Sequence, residues 1–279
     1  MKNNLDKKPF RIAFYGKGGI GKSTIAANFS AAMGKRGYRV LHIGCDPKAD
    51  SARLLTGRKI PDVLSVLAKK SQISREDLVS EGIYKVQCVE AGGPKAGTGC
   101  AGLGITATMD QLGDMGILQE PWDIMVYDVL GDVVCGGFAA PMRRKLADAV
   151  CVVTSSDYMS LYAANNILKG IAHFQRKKPL FSGLIQNHCR GERDQKIMNT
   201  FADRLRATVL GAVHESEEIR RADFRAEILT EKNCSAQAEM ERIADAIMSR
   251  KTDMVYSLSE KEMEEFRNCI FQEMERDYL

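Results

Sequence analysis

The 279-residue sequence holds a single tryptophan and only 7% aromatic residues, so it has little to stack on nucleobases. No cluster of lysine and arginine stands out as a nucleic-acid track, and neither sign of charge dominates: 40 basic against 36 acidic residues leave a net +4. No apolar run approaches the roughly 20 residues that a membrane-spanning helix needs. The first nine residues are polar and lack the apolar centre of a signal peptide. These absences predict a cytoplasmic protein with no nucleic-acid and no membrane partner. Proline- or serine-rich linkers, internal repeats and low-complexity segments are missing as well. With 44% hydrophobic residues the chain can bury one substantial core. The expectation is one domain over 1–279, with its core in 10–250 and a helical tail in 251–279. The eight cysteines contain no Cys-x-x-Cys pair, which argues against a zinc ribbon. In a cytosolic chain they read as buried thiols, a metal site, or both.

What is present begins with Gly16-Lys17-Gly18-Gly19-Ile20-Gly21-Lys22-Ser23, which fits the phosphate-binding pattern G-x-x-x-x-G-K-[ST]. An apolar run at 11–15 precedes it, and an alanine-rich stretch at helical spacing follows from Thr24. Glycines there let backbone N–H groups close on phosphate oxygens at a helix N-terminus, whose partial positive charge favours an anion. Lys22 is expected to reach the β- and γ-phosphates, and Ser23 to hold Mg²⁺. The pattern predicts a nucleoside triphosphate as ligand. Lys17, inside the loop, resembles the second lysine of the deviant Walker A loops of dimeric ATPases, where it crosses to the partner's nucleotide; that implies a homodimer.

Strand-like runs at 11–15, 39–44, 86–90, 122–128, 149–154, 180–187 and 208–213 alternate with helical patterns near 22–36, 105–117, 158–174, 192–207 and 235–250. Such alternation predicts an α/β P-loop NTPase fold, with a mostly parallel central sheet flanked by helices on both faces. Ligands of such sheets lie beyond the carboxyl ends of the strands. In the tail, Ser259-Glu260-Lys261-Glu262 fits a capping box, and Met263, Phe266, Ile270 and Met274 form an apolar stripe. Residues 260–277 carry an acidic excess unsuited to anionic lipid, so the stripe is expected to pack on the body or across a dimer.

The remaining motifs follow strands. Gly44-Cys45-Asp46-Pro47-Lys48-Ala49-Asp50 sets Asp46 and Asp50 at the rim where phosphate and metal belong. Asp128, ending an apolar strand, is a Walker B carboxylate, and Asp132 is the candidate to orient the attacking water. Cys100 lies in the glycine-rich run from Gly92 to Gly102, and Cys135 is followed by Gly136-Gly137. Glycines beside a cysteine let backbone N–H groups approach sulfur, as an iron–sulfur cluster requires. Two ligands per chain make half of a [4Fe–4S] set, which a two-fold dimer completes.

Together with Val89-Glu90-Ala91-Gly92-Gly93-Pro94 and Tyr162-Ala163-Ala164-Asn165-Asn166-Ile167, these segments resemble the nitrogenase iron protein family. That family includes the reductase subunits of dark-operative protochlorophyllide reductase and of nickel-tetrapyrrole cyclisation. The resemblance runs from about residue 11 to 187 and more loosely to about 250. It implies one [4Fe–4S] cluster per homodimer, ligated by Cys100 and Cys135 but not by Cys45 or Cys88, together with MgATP as cofactor. Gly16 through Thr24, Lys48, Asp50 and Asp128 would bind the nucleotide, and Asn187 would lie at the adenine. Lys17, Asp46 and Asp132 would be catalytic, with Ser23 at the magnesium. The implied activity is ATP-dependent transfer of one electron, from ferredoxin or flavodoxin to a partner complex holding a metallocluster or a tetrapyrrole. The 128–135 stretch would join nucleotide state to cluster position.

Three departures bear on the partner and the base. Leu103 stands where nitrogenase iron proteins carry a docking arginine. Val213-His214-Glu215-Ser216 replaces a stretch usually built around Val-Pro, and residues 54–61 look more like the tetrapyrrole-reductase branch. A ParA/MinD-like positioning ATPase shares Lys17 and the loop, but has no need of Cys100 and Cys135 in glycine-rich surroundings.

Overall fold

The computed structural model describes residues 8–93, 101–129, 146–175 and 178–276. Alternation along the chain does produce a parallel sheet. Strands β1 (Phe10–Gly16), β2 (Val40–Gly44), β3 (Ser80–Glu81), β4 (Gln87–Glu90), β5 (Ile124–Asp128), β6 (Ala149–Thr154), β7 (Phe181–Cys189) and β8 (Val209–His214) form one sheet in the order β3-β4-β2-β5-β1-β6-β7-β8. Only β3 runs antiparallel, against β4. Strand β5 inserts between β1 and β2, so that Asp128 lies level with Phe14 on one side and Gly44 on the other.

The interior strands are buried on both faces, which is why they read as continuous apolar runs rather than alternating ones. Their residues nevertheless divide by parity between two cores. Ala13, Tyr15, Leu41, Ile43, Met125 and Tyr127 face one, and Ile12, Phe14, Val40, Ile124 and Val126 face the other. The second core is closed by α1 (Lys22–Lys35), the short α2 (Arg53–Thr56), α8 (Glu217–Arg225) and α9 (Ser235–Ser249). The first is closed by α3 (Val63–Leu67), α4 (Arg75–Leu78), α5 (Ala101–Asp114), α6 (Tyr158–Gln175), α7 (Glu192–Arg204) and α10 (Glu260–Arg276). The five helices and seven strands expected from the sequence all form, with shifted ends; α5 starts four residues before the expected 105. Strand β3 and helices α2, α3, α4 and α8 were not expected.

The tail packs on the body. Both legs of the capping box form: Ser259 N–H donates to Glu262 Oε2 at 2.7 Å, and Glu262 N–H to Ser259 Oγ at 3.3 Å. Met263, Phe266 and Ile270 are buried, with the Phe266 ring 5.5 Å from that of Phe201. Two buried amides on α6 hold the chain leading into this helix. Asn165 exchanges hydrogen bonds with the backbone of Leu258 at 2.9 and 2.7 Å, and Gln175 does the same with Val255 at 3.1 and 2.8 Å. Each side-chain amide thus satisfies both backbone groups of its partner residue, as a neighbouring strand would.

Candidate nucleotide site

The loop after β1 turns on glycines that no other residue can replace cheaply. Gly19 and Gly21 have φ of +78° and +80°. A Cβ on Gly21 would lie 2.2 Å from Asn187 Nδ2, and one on Gly16 would lie 2.5 Å from the Val153 carbonyl oxygen. Helix α1 starts directly behind Gly21, with no side-chain cap on its first N–H groups and no acidic residue in its first turn. Those donors and the helix dipole converge on one spot, a cradle suited to a phosphate. The residues therefore fit the triphosphate that the motif predicts.

Lys17, Gly18, Gly19, Ile20, Gly21, Lys22, Ser23 and Thr24 line one cleft of about 410 Å³ with Asp46, Lys48, Asp50 and Asn187. The structure thus brings together every described residue that the sequence nominated, with Gly16 at the strand end beneath the loop and Asp128 in the floor. Asn187 Nδ2 donates to the Ile20 carbonyl at 2.8 Å, tying β7 to the loop. Strand β7 runs two residues past Asn187, which was expected to end it. Asp46 is buried and accepts from the Lys48 N–H at 2.9 Å, shaping the turn in which Ala49 has φ +51°. Burial, and then the charge of Asp46, raise the Asp50 carboxyl above its ordinary value.

Beneath the loop, Lys22 Nζ pairs with Asp128 Oδ1 and donates to Ser23 Oγ at 3.2 Å. The ammonium is 5% exposed and the carboxylate not at all. Burial works to raise the Asp128 carboxyl, but the Lys22 charge and hydrogen bonds from Lys22, Ser23 and Ser51 hold it below its ordinary value. Asp128 is therefore an anion at neutral pH.

Several residues of this region escaped sequence reasoning. Ser51 Oγ donates to Asp128 Oδ2 at 2.5 Å, and His42 and Ser30 continue the contact into the core. A histidine interrupting the apolar run Val40-Leu41-His42-Ile43 was the available signal. Glu90 is fully buried; burial chiefly, against the Ala52 N–H bound at 2.5 Å, pushes its carboxyl up to about 8. The far wall of the cleft comes from α8 and α9, through Ile219, Arg220, Asp223 and Met240. The capping pair Ser216 and Glu217–Glu218 marked α8 in the sequence. Cys45 and Cys88 are buried with thiols raised by desolvation, the condition of inert cysteines. Asp132, Cys100 and Cys135 lie outside the described residues. Among the described residues no group of three or more His, Cys, Asp or Glu is arranged to hold a metal ion, and no helix is long and apolar enough to cross a membrane.

A parallel α/β sheet with a glycine loop at the β1–α1 turn and a buried carboxylate at the end of the adjacent strand defines a P-loop NTPase. Solved structures of that class share the fold. MinD from Pyrococcus horikoshii, complexed with Mg-ADP, matches with a TM-score of 0.67 over 87% of this chain and 97% of its own, at 19% identity. A ParA family ATPase from Chlorobium tepidum matches with 0.67 over 87% and 100%, at 17% identity. At such identities the likeness concerns the fold alone. The chain belongs to the 4Fe-4S iron sulfur cluster binding proteins of the NifH/frxC family, whose model matches residues 10–273. Nitrogenase iron protein 2 of Methanobacterium ivanovii is 47% identical over 244 residues, 86% of this chain and 91% of that protein. Its namesake from Methanothermobacter thermautotrophicus is 45% identical over 260 residues, 92% and 96% of the two chains. Proteins of this family are homodimers that bind a [4Fe–4S] cluster between subunits, use MgATP and act with a catalytic partner. Membership carries an ATP-dependent reductase function of the nitrogenase type.

Proposed function

We propose that this protein is a homodimeric, cytoplasmic electron donor that takes one electron from a ferredoxin or flavodoxin and delivers it to a partner metalloenzyme as MgATP is hydrolysed. The observation that carries this reading is the position of Asp128. It is buried against Lys22 of the nucleotide loop, and it lies seven positions before Cys135, the cysteine proposed as a cluster ligand. One short segment therefore leads from the nucleotide floor to that cysteine, so displacing the Asp128 carboxylate displaces the segment.

When bound, MgATP supplies a hydrolysable phosphoanhydride and the [4Fe–4S] cluster supplies one-electron chemistry. The chain's own groups supply the rest. The amides of Gly18 to Ser23 and the Lys22 ammonium hold phosphate oxygens. Ser23 offers its hydroxyl to magnesium, and Asp46 and Asp128 stand on the metal side of the cleft. Lys48 and Asp50 flank the phosphates, Asn187 lies toward the adenine, Lys17 reaches the partner subunit's nucleotide, and Asp132 orients the attacking water. Cys100 and Cys135 ligate the cluster, each from a glycine-rich stretch. No membrane and no nucleic acid takes part.

Iron analysis of anaerobically purified protein tests the cluster assignment. Cys100→Ser and Cys135→Ser should each abolish bound iron; wild-type iron content in both variants would sink it. The partner is a complex carrying a metallocluster or a tetrapyrrole. The curated relatives favour the former, while Leu103 and the 54–61 segment favour a docking surface unlike that of true nitrogenase reductases. Anaerobic capture with MgADP and aluminium fluoride distinguishes the two by what is retained. Recovery of DNA-segregation proteins instead would reject the electron-donor role.

A further inference from the structure

We propose that His42 is a positioning residue for the Asp128 carboxylate, acting through the Ser51 hydroxyl. Four side chains form an unbroken line from helix α1 through strand β2 to the floor of the nucleotide cleft. Ser30 Oγ lies 2.9 Å from His42 Nδ1, His42 Nε2 lies 2.9 Å from Ser51 Oγ, and Ser51 Oγ lies 2.5 Å from Asp128 Oδ2. All four are buried, none more than 1% exposed.

The direction of every hydrogen bond in the line follows from its charged end. Asp128 is ionised and accepts only, so the single proton of Ser51 is committed to Oδ2. Ser51 Oγ must then accept from His42, which places the imidazole proton on Nε2. Burial above all keeps this imidazole neutral at physiological pH, holding its pKa near 4. Nδ1 is left with a lone pair, and Ser30 donates to it. No member can rotate away without stranding a buried polar group.

The consequence falls on Asp128. Its Oδ2 is anchored from the core, while Oδ1 pairs with Lys22, which lines the cleft. The line therefore assigns the two oxygens different tasks: one fixes the carboxylate plane, and the other is presented toward the metal side. Strand parity puts residue 42 on the α1 side of the sheet with Val40, in the core that includes Ile25 and Phe29. An aliphatic residue would fill that position at no polar desolvation cost. The inference rests on the proposed role of Asp128 at the magnesium side.

Calorimetric titration of the purified dimer with ADP, in MgCl₂ and separately in EDTA, tests it without reference to activity. Wild-type protein should bind ADP more tightly with magnesium than without. His42→Leu should reduce that magnesium-dependent increment by roughly tenfold, the scale of the Ser51 hydrogen bond to the Asp128 carboxylate that His42 orients, and leave the EDTA affinity unchanged. His42→Gln, whose amide donates where Nε2 does, should restore most of the increment. Asp128→Asn serves as reference and should lose it. An unchanged increment in His42→Leu, with Asp128→Asn deficient, overturns the role of His42 alone. Equal loss in His42→Leu and His42→Gln, or a parallel loss of EDTA affinity, overturns it too. A full increment in Asp128→Asn overturns the reading of Asp128 and this inference with it.

Discussion

The Lys22 ammonium and the Asp128 carboxylate form an ion pair almost wholly removed from solvent, at the junction of the phosphate loop and the central strand. Such a pair gives little net stability while both partners are present, since each loses its hydration. Removing one partner is another matter. Lys22→Ala leaves a buried, unpaired carboxylate, at a cost of about 3–5 kcal/mol. The double variant Lys22→Ala/Asp128→Asn should recover much of that loss in a denaturation experiment, whereas additive losses would show that the pair is not coupled. The same Lys22→Ala protein should lose ATP-driven electron transfer while keeping the EPR signal of a reduced cluster.

Gly21 is confined by its φ of +80° and by Asn187, whose Nδ2 would stand 2.2 Å from an added Cβ. Gly21→Ala must therefore break the hydrogen bond from Asn187 to Ile20 or distort the first turn of α1. Nucleotide affinity should fall by roughly tenfold or more, with a smaller effect on melting temperature. An affinity within twofold of wild type would mean that the loop tolerates a different path.

Glu90 should make stability depend on pH. Burial foremost raises its carboxyl from 4.5 to about 8, with the charges of Asp128, Asp50 and Asp46 adding to the effect against the Ala52 N–H. The folded protein thus keeps a proton that the unfolded chain releases. This contribution is fully present below pH 4.5 and is lost as pH rises through about 8, on the order of 5 kcal/mol in total. Glu90→Gln removes the dependence. The melting temperature of the variant, relative to wild type, should climb between acidic and mildly alkaline buffer; a constant difference would show that Glu90 is already ionised in the fold.

The C-terminal helix is held by Phe266, which is 1% exposed and whose ring lies tilted against that of Phe201, 5.5 Å away. Phe266→Ala should cost about 3–5 kcal/mol, and amide exchange should rise first in 255–276, where the Asn165 and Gln175 anchors are released. A loss below 1 kcal/mol would mean the helix contributes little to the body.

By itself the sequence determined the nucleotide loop, the fold class and most of the elements. Glycine conformation and helix start are local matters: Gly19, Gly21 and the run behind them settle their geometry within a few residues. Apolar runs of five to eight residues marked the buried strands, and Ser259 with Glu262 marked the last helix, because capping needs no distant partner. Helices α2, α3 and α4 are four or five residues long, too short for a helical period to show. Only the tertiary structure decided that β5 lies between β1 and β2, and with it the meeting of Asp128 with Lys22 and Ser51, and through Ser51 with His42. Asp128 lies 106 residues from Lys22 and 77 from Ser51, so no local pattern encodes their contact. Packing α1 and β2 against β5 creates it, and burial then makes each of its hydrogen bonds obligatory.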